Sequence, residues 1–444
     1  MTNKSTSFIE NKSQLIQYFN DGIKKDTNLR IGVEHEKFLF NRKDLKRIDY
    51  NQIKKVFELL KNNGWELQYE KDKIIGLKKE NQKITTEPGF QYELSGAPFK
   101  NIHLVCSENS SHFNELKDVF SSTSITTSSI AYDPFNKLIE IPKSPKERYK
   151  IMTSEMPKGG KLSLDMMYKT AGIQINYDYT SEEDFEKKFK IGNYLAPLTI
   201  ALFANSPFNE NKLSGFLSYR GKVWQETNRG GIMPITFENI NFEKYIDHAI
   251  SYPILFLKKN GKYYSPNGQT FKDFLNGNLS FLKGEKPTLE DFENHLGTIF
   301  TELRLKQVIE FRSLDTCNFG CICNGPSFFT GLIYGSLDET YKIIKDWKKE
   351  DVMEAYLNAP KQGLNTLLHN KKLIDWGKIF LDLSKKGLEK RNELNKSGKN
   401  ETIYLKHIEE IIKNKKTRAE MLIEQFNKTK NLNFLVNHDE NFSY

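Results

Sequence analysis

Four short stretches of this chain alternate apolar with polar residues, and their polar positions are acids and amides. In Ile31-Gly32-Val33-Glu34-His35-Glu36-Lys37-Phe38 the two-residue period of a strand puts Glu34 and Glu36 on one side, with Val33 and His35 on the other. Read as one strand, Glu87-Pro88-Gly89-Phe90-Gln91-Tyr92-Glu93-Leu94 sets Glu87, Gln91 and Glu93 opposite Phe90, Tyr92 and Leu94. Gly172 to Asp178 sets Gln174, Asn176 and Asp178 against Ile173, Ile175 and Tyr177, and Val308-Ile309-Glu310-Phe311-Arg312 presents Glu310 and Arg312 together. An antiparallel sheet with one wet face alternates in the same way. In a Lys-rich chain, however, such a face would be filled mainly by Lys, Thr and Ser. Neighbouring like charges destabilise a sheet, so clustered carboxylates point to a compensating cation. Oxygen ligands of this kind suit Mg²⁺ or Mn²⁺ rather than zinc. Periodicity alone leaves both readings open.

No Walker pattern is present, and no glycine fingerprint leads from a strand into a helix. A bound nucleotide would therefore have its phosphates held by metal ions and arginines rather than by a helix N-terminus. The 66 Lys and Arg against 57 Asp and Glu give 66 − 57 = +9, a surplus that permits nucleotide or nucleic-acid partners without choosing between them. The lysines of the C-terminal helices lack interleaved aromatics, so they read as solvated faces and no nucleic-acid partner is expected. No run approaches the roughly 20 apolar residues of a membrane span, and the polar opening Met1 to Ser7 does not resemble a signal peptide, so no membrane partner is expected. Four cysteines, Cys106, Cys317, Cys321 and Cys323, are too few for a disulfide-built scaffold, and the last three lack zinc-knuckle spacing. They lead to the expectation of a reducing, cytosolic compartment.

The 444 residues are enough for several domains, yet no internal repeat or long linker divides them, and a single catalytic domain over 1–444 is expected. Its sheet would lie mainly within 30–340, followed by a helical portion over 341–444. Leu15, Ile16, Phe19 and Ile23 recur at helical spacing, as do Ile53, Val56, Phe57 and Leu60. Ser181 before Glu182, Glu183 and Asp184 predicts a helix start, and Thr417 with Glu420 a capping box. Residues 121–130 hold eight Ser and Thr, either a flexible connection or a β-segment. Pro134, Pro142, Pro145 and Pro157 then punctuate a long irregular stretch of the kind that is usually functional or disordered.

In this order, the runs resemble the glutamate–cysteine ligase family, in the plant-type branch that also occurs in bacteria. The likeness begins near Arg30 and includes Glu-Pro-Gly-x-Gln-x-Glu-Leu-Ser-Gly-Ala-Pro ending at Pro98, Leu164-Asp165-Met166-Met167, and Ala201 to Phe208. It continues through Gly215-Phe216-Leu217-Ser218-Tyr219-Arg220, Asn294-His295-Leu296, Arg304-Leu305-Lys306 and Glu310-x-Arg312. The resemblance implies an α+β, glutamine-synthetase-like fold: a curved, mostly antiparallel β-sheet funnel with helices packed on its outside. It implies an ATP-dependent ligase joining the γ-carboxylate of L-glutamate to the amino group of L-cysteine, as a monomer or homodimer.

On that resemblance Glu34, Glu36, Glu93 and Glu310 are carboxylate ligands of Mg²⁺ or Mn²⁺, with Glu87 a weaker candidate. Arg312, beside Glu310, would contact phosphate, making this pair catalytic. Arg220 and Arg148 match arginines that hold glutamate, although Glu147 stands where the family usually has Gly before Arg148. Gln174 would offer its carbonyl oxygen to a metal or position a substrate. His35 alternates out of the acidic face and reads as structural; His295 lies in a family motif with no assigned role. Cys106 and Cys323 stand where plant-type members carry a pair able to form a regulatory disulfide, whereas Pro266 and Phe281 stand near the place of the family's second pair. A related ligase with another amine acceptor, and more remotely a non-enzymatic nucleic-acid-binding protein, are the competing readings.

Overall fold

The computed structural model describes residues 7–437. Nine strands form its main sheet: β1 (Ile31–Asn41), β2 (Glu66–Glu70), β3 (Lys73–Lys79), β4 (Gln82–Thr86), β5 (Tyr92–Ser95), β6 (Ile125–Ser128), β7 (Gly172–Tyr177), β8 (Leu303–Leu305) and β9 (Ile309–Asp315). Their order is β8-β9-β7-β1-β5-β4-β3-β2, with β6 paired to the far end of β1, and every pairing is antiparallel. The alternating runs are thus brought side by side from distant parts of the sequence.

Helices cover the apolar faces. Ile173, Ile175 and Tyr177 of β7 and Ile309 and Phe311 of β9 share one core with Phe185 and Phe189 of helix Glu182–Tyr194 and with Phe328 and Phe329 of helix Asn324–Thr330. The C-terminal portion joins the same core through Phe380, Leu388, Ile408 and Ile411. A second core packs Ile53, Val56, Phe57 and Leu60 of helix Tyr50–Lys61 with Phe90, Tyr92 and Leu94. Burying a side chain of this size contributes about 1.5–3 kcal/mol, so the alternation fixes which face meets helices. The polar face is left to line a cavity.

Local capping follows the sequence. Ser181 Oγ accepts from Asp184 N at 3.0 Å, and Thr417 N donates to Glu420 at 2.7 Å. The Ser/Thr-rich segment supplies β6, which pairs Ile125–Ser128 with Phe38–Asn41. The Pro-punctuated stretch carries helix Glu147–Glu155, and with it Arg148.

One strand assignment is corrected. Glu87 to Leu94 is not continuous: Pro88 and Gly89 turn the chain, Phe90 sits at φ 58°, and β5 begins only at Tyr92. The bond from Phe90 N to the Glu87 carbonyl and that from Glu87 N to the Gln91 carbonyl, each 2.9 Å, close this turn. Asp178 likewise lies beyond the end of β7, where it accepts the Arg30 N–H at 2.7 Å. Among the described residues, no helix is long and apolar enough to cross a membrane.

Candidate active site

A cavity of about 340 Å³ opens on the polar face of the sheet. Register decides its chemistry: Glu34 lies opposite Gln174 on β7, and Glu36 opposite Glu93 on β5. All four line the cavity, together with Glu87 and Gln91 from the turn before β5. Burial raises the Glu93 carboxyl well above its ordinary range, and Glu87, Glu34 and Glu36 push it further. Burial and Glu87 lift Glu36 to about 7, opposed by Arg220 and Arg312. Glu34 is raised by burial and by Glu310, although Asn176 donates to it at 3.0 Å. These acids oppose one another across the strands, a destabilising arrangement unless a cation joins them.

The lining is also cationic. Arg220 and Arg312 both lie over Trp224, their guanidinium carbons 4.9 and 5.2 Å from its ring centre. Arg220 donates to the Arg312 carbonyl at 2.9 Å, and Arg312 donates to the Gln174 side-chain oxygen. Burial and Arg304 bring Arg312 down to about 10, leaving it protonated at neutral pH. Arg148 reaches the wall from helix Glu147–Glu155 and donates to Tyr149 Oη at 3.2 Å, an arrangement that keeps it firmly protonated. Met152, Met166, Met167, Phe256 and Phe300 supply the apolar part.

Glu310 is paired with three cations. Arg304 bonds one carboxylate oxygen, Lys306 reaches the other at 3.0 Å and Arg312 approaches at 3.5 Å. Burial alone would raise its pKa, but these three cations hold it well below the usual carboxylate range. Arg304, Lys306 and Arg312 line the cavity, and Glu310 is not part of that lining. Its carboxylate is spent on organising them.

Glu34, Glu36, Glu87, Glu93, Arg148, Gln174, Arg220 and Arg312 therefore meet around one cavity, with Glu310 bonded to its lining and Cys106 and Cys323 outside it. Arg304 and Lys306 were visible as a basic pair two residues apart just before Glu310, whereas Trp224, Glu293 and Thr298 carry no local signal. His35 and His295 face away: His35 Nε2 lies 3.3 Å from the Cys317 carbonyl, and His295 Nε2 lies 2.8 Å from that of Ala249. Burial lowers both pKa values, His295 to about 3, so both are neutral packing residues. Cys106 is bonded to Cys323 and Cys317 to Cys321. The second bond had no counterpart in the sequence reading.

The donor set fits a hard divalent ion. Three buried carboxylates carry mutual repulsion, yet among the described residues no three His, Cys, Asp or Glu side chains enclose a point by themselves. Such acids suit Mg²⁺, which commonly takes one or two carboxylates and completes its shell with water and substrate phosphate.

An antiparallel sheet with helices outside and acids and arginines lining one cavity agrees with the glutamine-synthetase-like ligase fold that the resemblance implies. Residues 30–438 match glutamate-cysteine ligase family 2 (GCS2), and the chain belongs to that family. It is 40% identical over 421 residues to the chloroplastic glutamate–cysteine ligase of Solanum lycopersicum, covering 94% of this chain and 79% of that one. The Oryza sativa subsp. japonica chloroplastic ligase B is also 40% identical, with 94% and 84% covered, and the Arabidopsis thaliana chloroplastic enzyme 40%, with 94% and 80% covered. Among solved structures, the Francisella tularensis glutamate–cysteine ligase in complex with AMP has a TM-score of 0.56 at 13% identity, covering 94% of this chain and 89% of that one. The Pasteurella multocida bifunctional glutathione synthetase has 0.51 at 12%, covering 97% and 53%. At such identities these two structures establish the fold alone.

The cytosolic expectation is contradicted by these relatives, which are chloroplastic enzymes. All four cysteines are disulfide-bonded here.

Proposed function

We propose that this cavity uses ATP to activate the γ-carboxylate of L-glutamate and joins it to the amino group of L-cysteine. The products are γ-glutamylcysteine, ADP and phosphate, and the reaction is the first step of glutathione synthesis. The observation that carries the reading is the Glu36–Glu93 cross-strand pair lining one cavity with Arg148, Arg220 and Arg312.

A free carboxylate resists an amine because its leaving group would be oxide. Transfer of the γ-phosphoryl group breaks its bond to ADP and forms a bond to the glutamate γ-oxygen. The amine then attacks the carbonyl carbon, and phosphate leaves with the oxygen. Arg148 and Arg220 hold the glutamate carboxylates, for which the planar guanidinium is suited. Arg312, oriented by Gln174 and Glu310, faces the phosphoryl group. Glu34, Glu36 and Glu93, with Glu87 beside them, would hold Mg²⁺ or Mn²⁺, which when bound neutralises phosphate charge during transfer. Glu310 serves this site through its three cations rather than by ligating an ion. The apolar wall around Met152 and Met166 excludes water from the activated intermediate.

The deciding assay follows ADP release with Mg²⁺ and glutamate, with and without L-cysteine, and identifies the product by mass. Cysteine-dependent turnover yielding γ-glutamylcysteine is expected. Absence of metal-dependent turnover would overturn the reading, and turnover only with another amine would reassign the acceptor.

A further inference from the structure

Asp315 closes β9, three residues beyond Arg312, and is 1% exposed. Its side chain gathers polar groups from two other segments. One oxygen accepts Asn205 N at 2.8 Å and Ser206 Oγ at 2.7 Å; the other accepts Ser218 Oγ at 2.9 Å and lies 3.9 Å from Arg220 Nη1. Both serines pass the contact onward. Ser206 Oγ accepts Arg220 N at 3.1 Å, and Ser218 Oγ caps helix Tyr219–Gln225 by accepting Gly221 N at 3.0 Å. This helix carries Arg220 and Trp224.

We propose that Asp315 is a positioning residue for substrate recognition, fixing the Arg220 guanidinium against the cavity as its buried counter-ion. The inference rests on the reading of Arg220 as a glutamate-carboxylate ligand. Three observations support it. Arg220 and Arg312 are buried cations on the same indole, and an anion behind Arg220 offsets their repulsion. Burial raises the Asp315 carboxyl above its ordinary range, and contacts with Arg220, Asn205, Ser206 and Ser218 pull against that rise and favour the anion. Finally, Arg220 lines the cavity, and its buried Nε has no hydrogen-bond acceptor among the described residues, so the guanidinium holds a donor the protein leaves unused. Gly172 permits this placement, because a Cβ there would lie 2.5 Å from Arg220 Nη2.

The test is steady-state kinetics of Asp315→Asn, Ser206→Ala and Arg220→Lys, varying glutamate and ATP separately, with thermal unfolding of each protein. Asp315→Asn is expected to raise the glutamate KM about 10-fold or more, the scale of a lost charge-assisted contact, with the ATP KM within about 2-fold of wild type. Ser206→Ala retains the charge and is expected to shift the same constant about 3-fold. A merely structural role would lower the unfolding temperature and the active fraction without separating the two KM values. If Arg220→Lys leaves the glutamate KM unchanged, the reading of Arg220 fails. If it raises that KM while Ser206→Ala and any folded Asp315→Asn do not, the positioning inference alone is overturned.

Discussion

Glu93 and Glu310 are both buried acids on one sheet, with β1 and β7 between their strands, yet their surroundings give them opposite energetic roles. Glu93 is crowded by Glu87, Glu34 and Glu36, so its charge opposes folding until a cation arrives. Glu310 is the anion on which Arg304, Lys306 and Arg312 depend. Glu93→Gln should lower turnover at least ~100-fold while raising the stability of the metal-free protein at pH 8 by on the order of 1 kcal/mol. Glu310→Gln should also lose turnover, but it should destabilise by about 3 kcal/mol because it strands buried cations. Denaturant unfolding measures both, and equal stability changes would refute the distinction. The same acids give a pH dependence. Glu36 binds its proton more tightly in the folded state, with a pKa near 7 against 4.5 for the free group. Between these values the folded state holds more protons, so this contribution is most favourable below pH 4.5 and is lost as pH rises through about 7. Glu34 and Glu93 act in the same direction. Without nucleotide, millimolar Mg²⁺ should therefore raise the melting temperature at pH 8 by several degrees and much less at pH 5, because a ligating carboxylate must be ionised. A Mg²⁺ effect independent of pH would remove these carboxylates from the ion site.

The Pro88-Gly89-Phe90 turn shows how an element can hide inside a periodic sequence. Arg47, buried on Asp133 at 3.3 Å, also donates to the Gly89 carbonyl and holds the turn against the sheet. A Cβ at Gly89 would lie 2.7 Å from the Tyr168 carbonyl oxygen and 3.1 Å from Gln91 Oε1. Gly89→Ala should cost about 1–3 kcal/mol, in the range of overpacked sites, and reduce turnover by moving Glu87 and Gln91. Unfolding and ADP-release measurements check the two halves, and unchanged values in both would mean that the turn shifts without strain. Alternation reported the inward faces of β1 and β7 correctly because one face of each is buried in apolar packing. It could not report the turn, since Glu87 and Gln91 reach the cavity from a bend much as they would from a strand. Nor could it supply strand order: that β7 lies between β1 and β9 is decided by packing between segments more than 100 residues apart. Asp315 was overlooked for a related reason, because its partners Asn205, Ser206 and Ser218 are close only after folding.

At the scale of the whole molecule, the two disulfides differ chiefly in how much chain they close. Cys106 and Cys323 are separated by 217 positions, Cys317 and Cys321 by 4. The long bond starts from helix Ile102–Ser121, whose Val105 and Cys106 belong to the core containing Ile175 and Phe311, whereas its Leu116 and Val119 belong to the core containing Phe57 and Tyr92. Its other end immediately precedes helix Asn324–Thr330, which packs on β9. It thus ties the helix that spans both cores to the helical layer behind Arg312. In the chain-entropy account, cross-linking stabilises by restricting the unfolded state, and the benefit grows with the logarithm of loop length. The long bond should contribute about 5 kcal/mol and the short one about 2 kcal/mol or less. Cys106→Ser should therefore lower the unfolding midpoint by roughly two to three times as much as Cys317→Ser, and a dithiol reductant should reproduce the combined loss in wild type but leave the double variant Cys106→Ser/Cys317→Ser almost unchanged. Peptide mapping without reductant must first find both bonds. Given that, equal midpoint losses in the two single variants would place the stabilisation in local packing around the sulfurs rather than in closure of the chain.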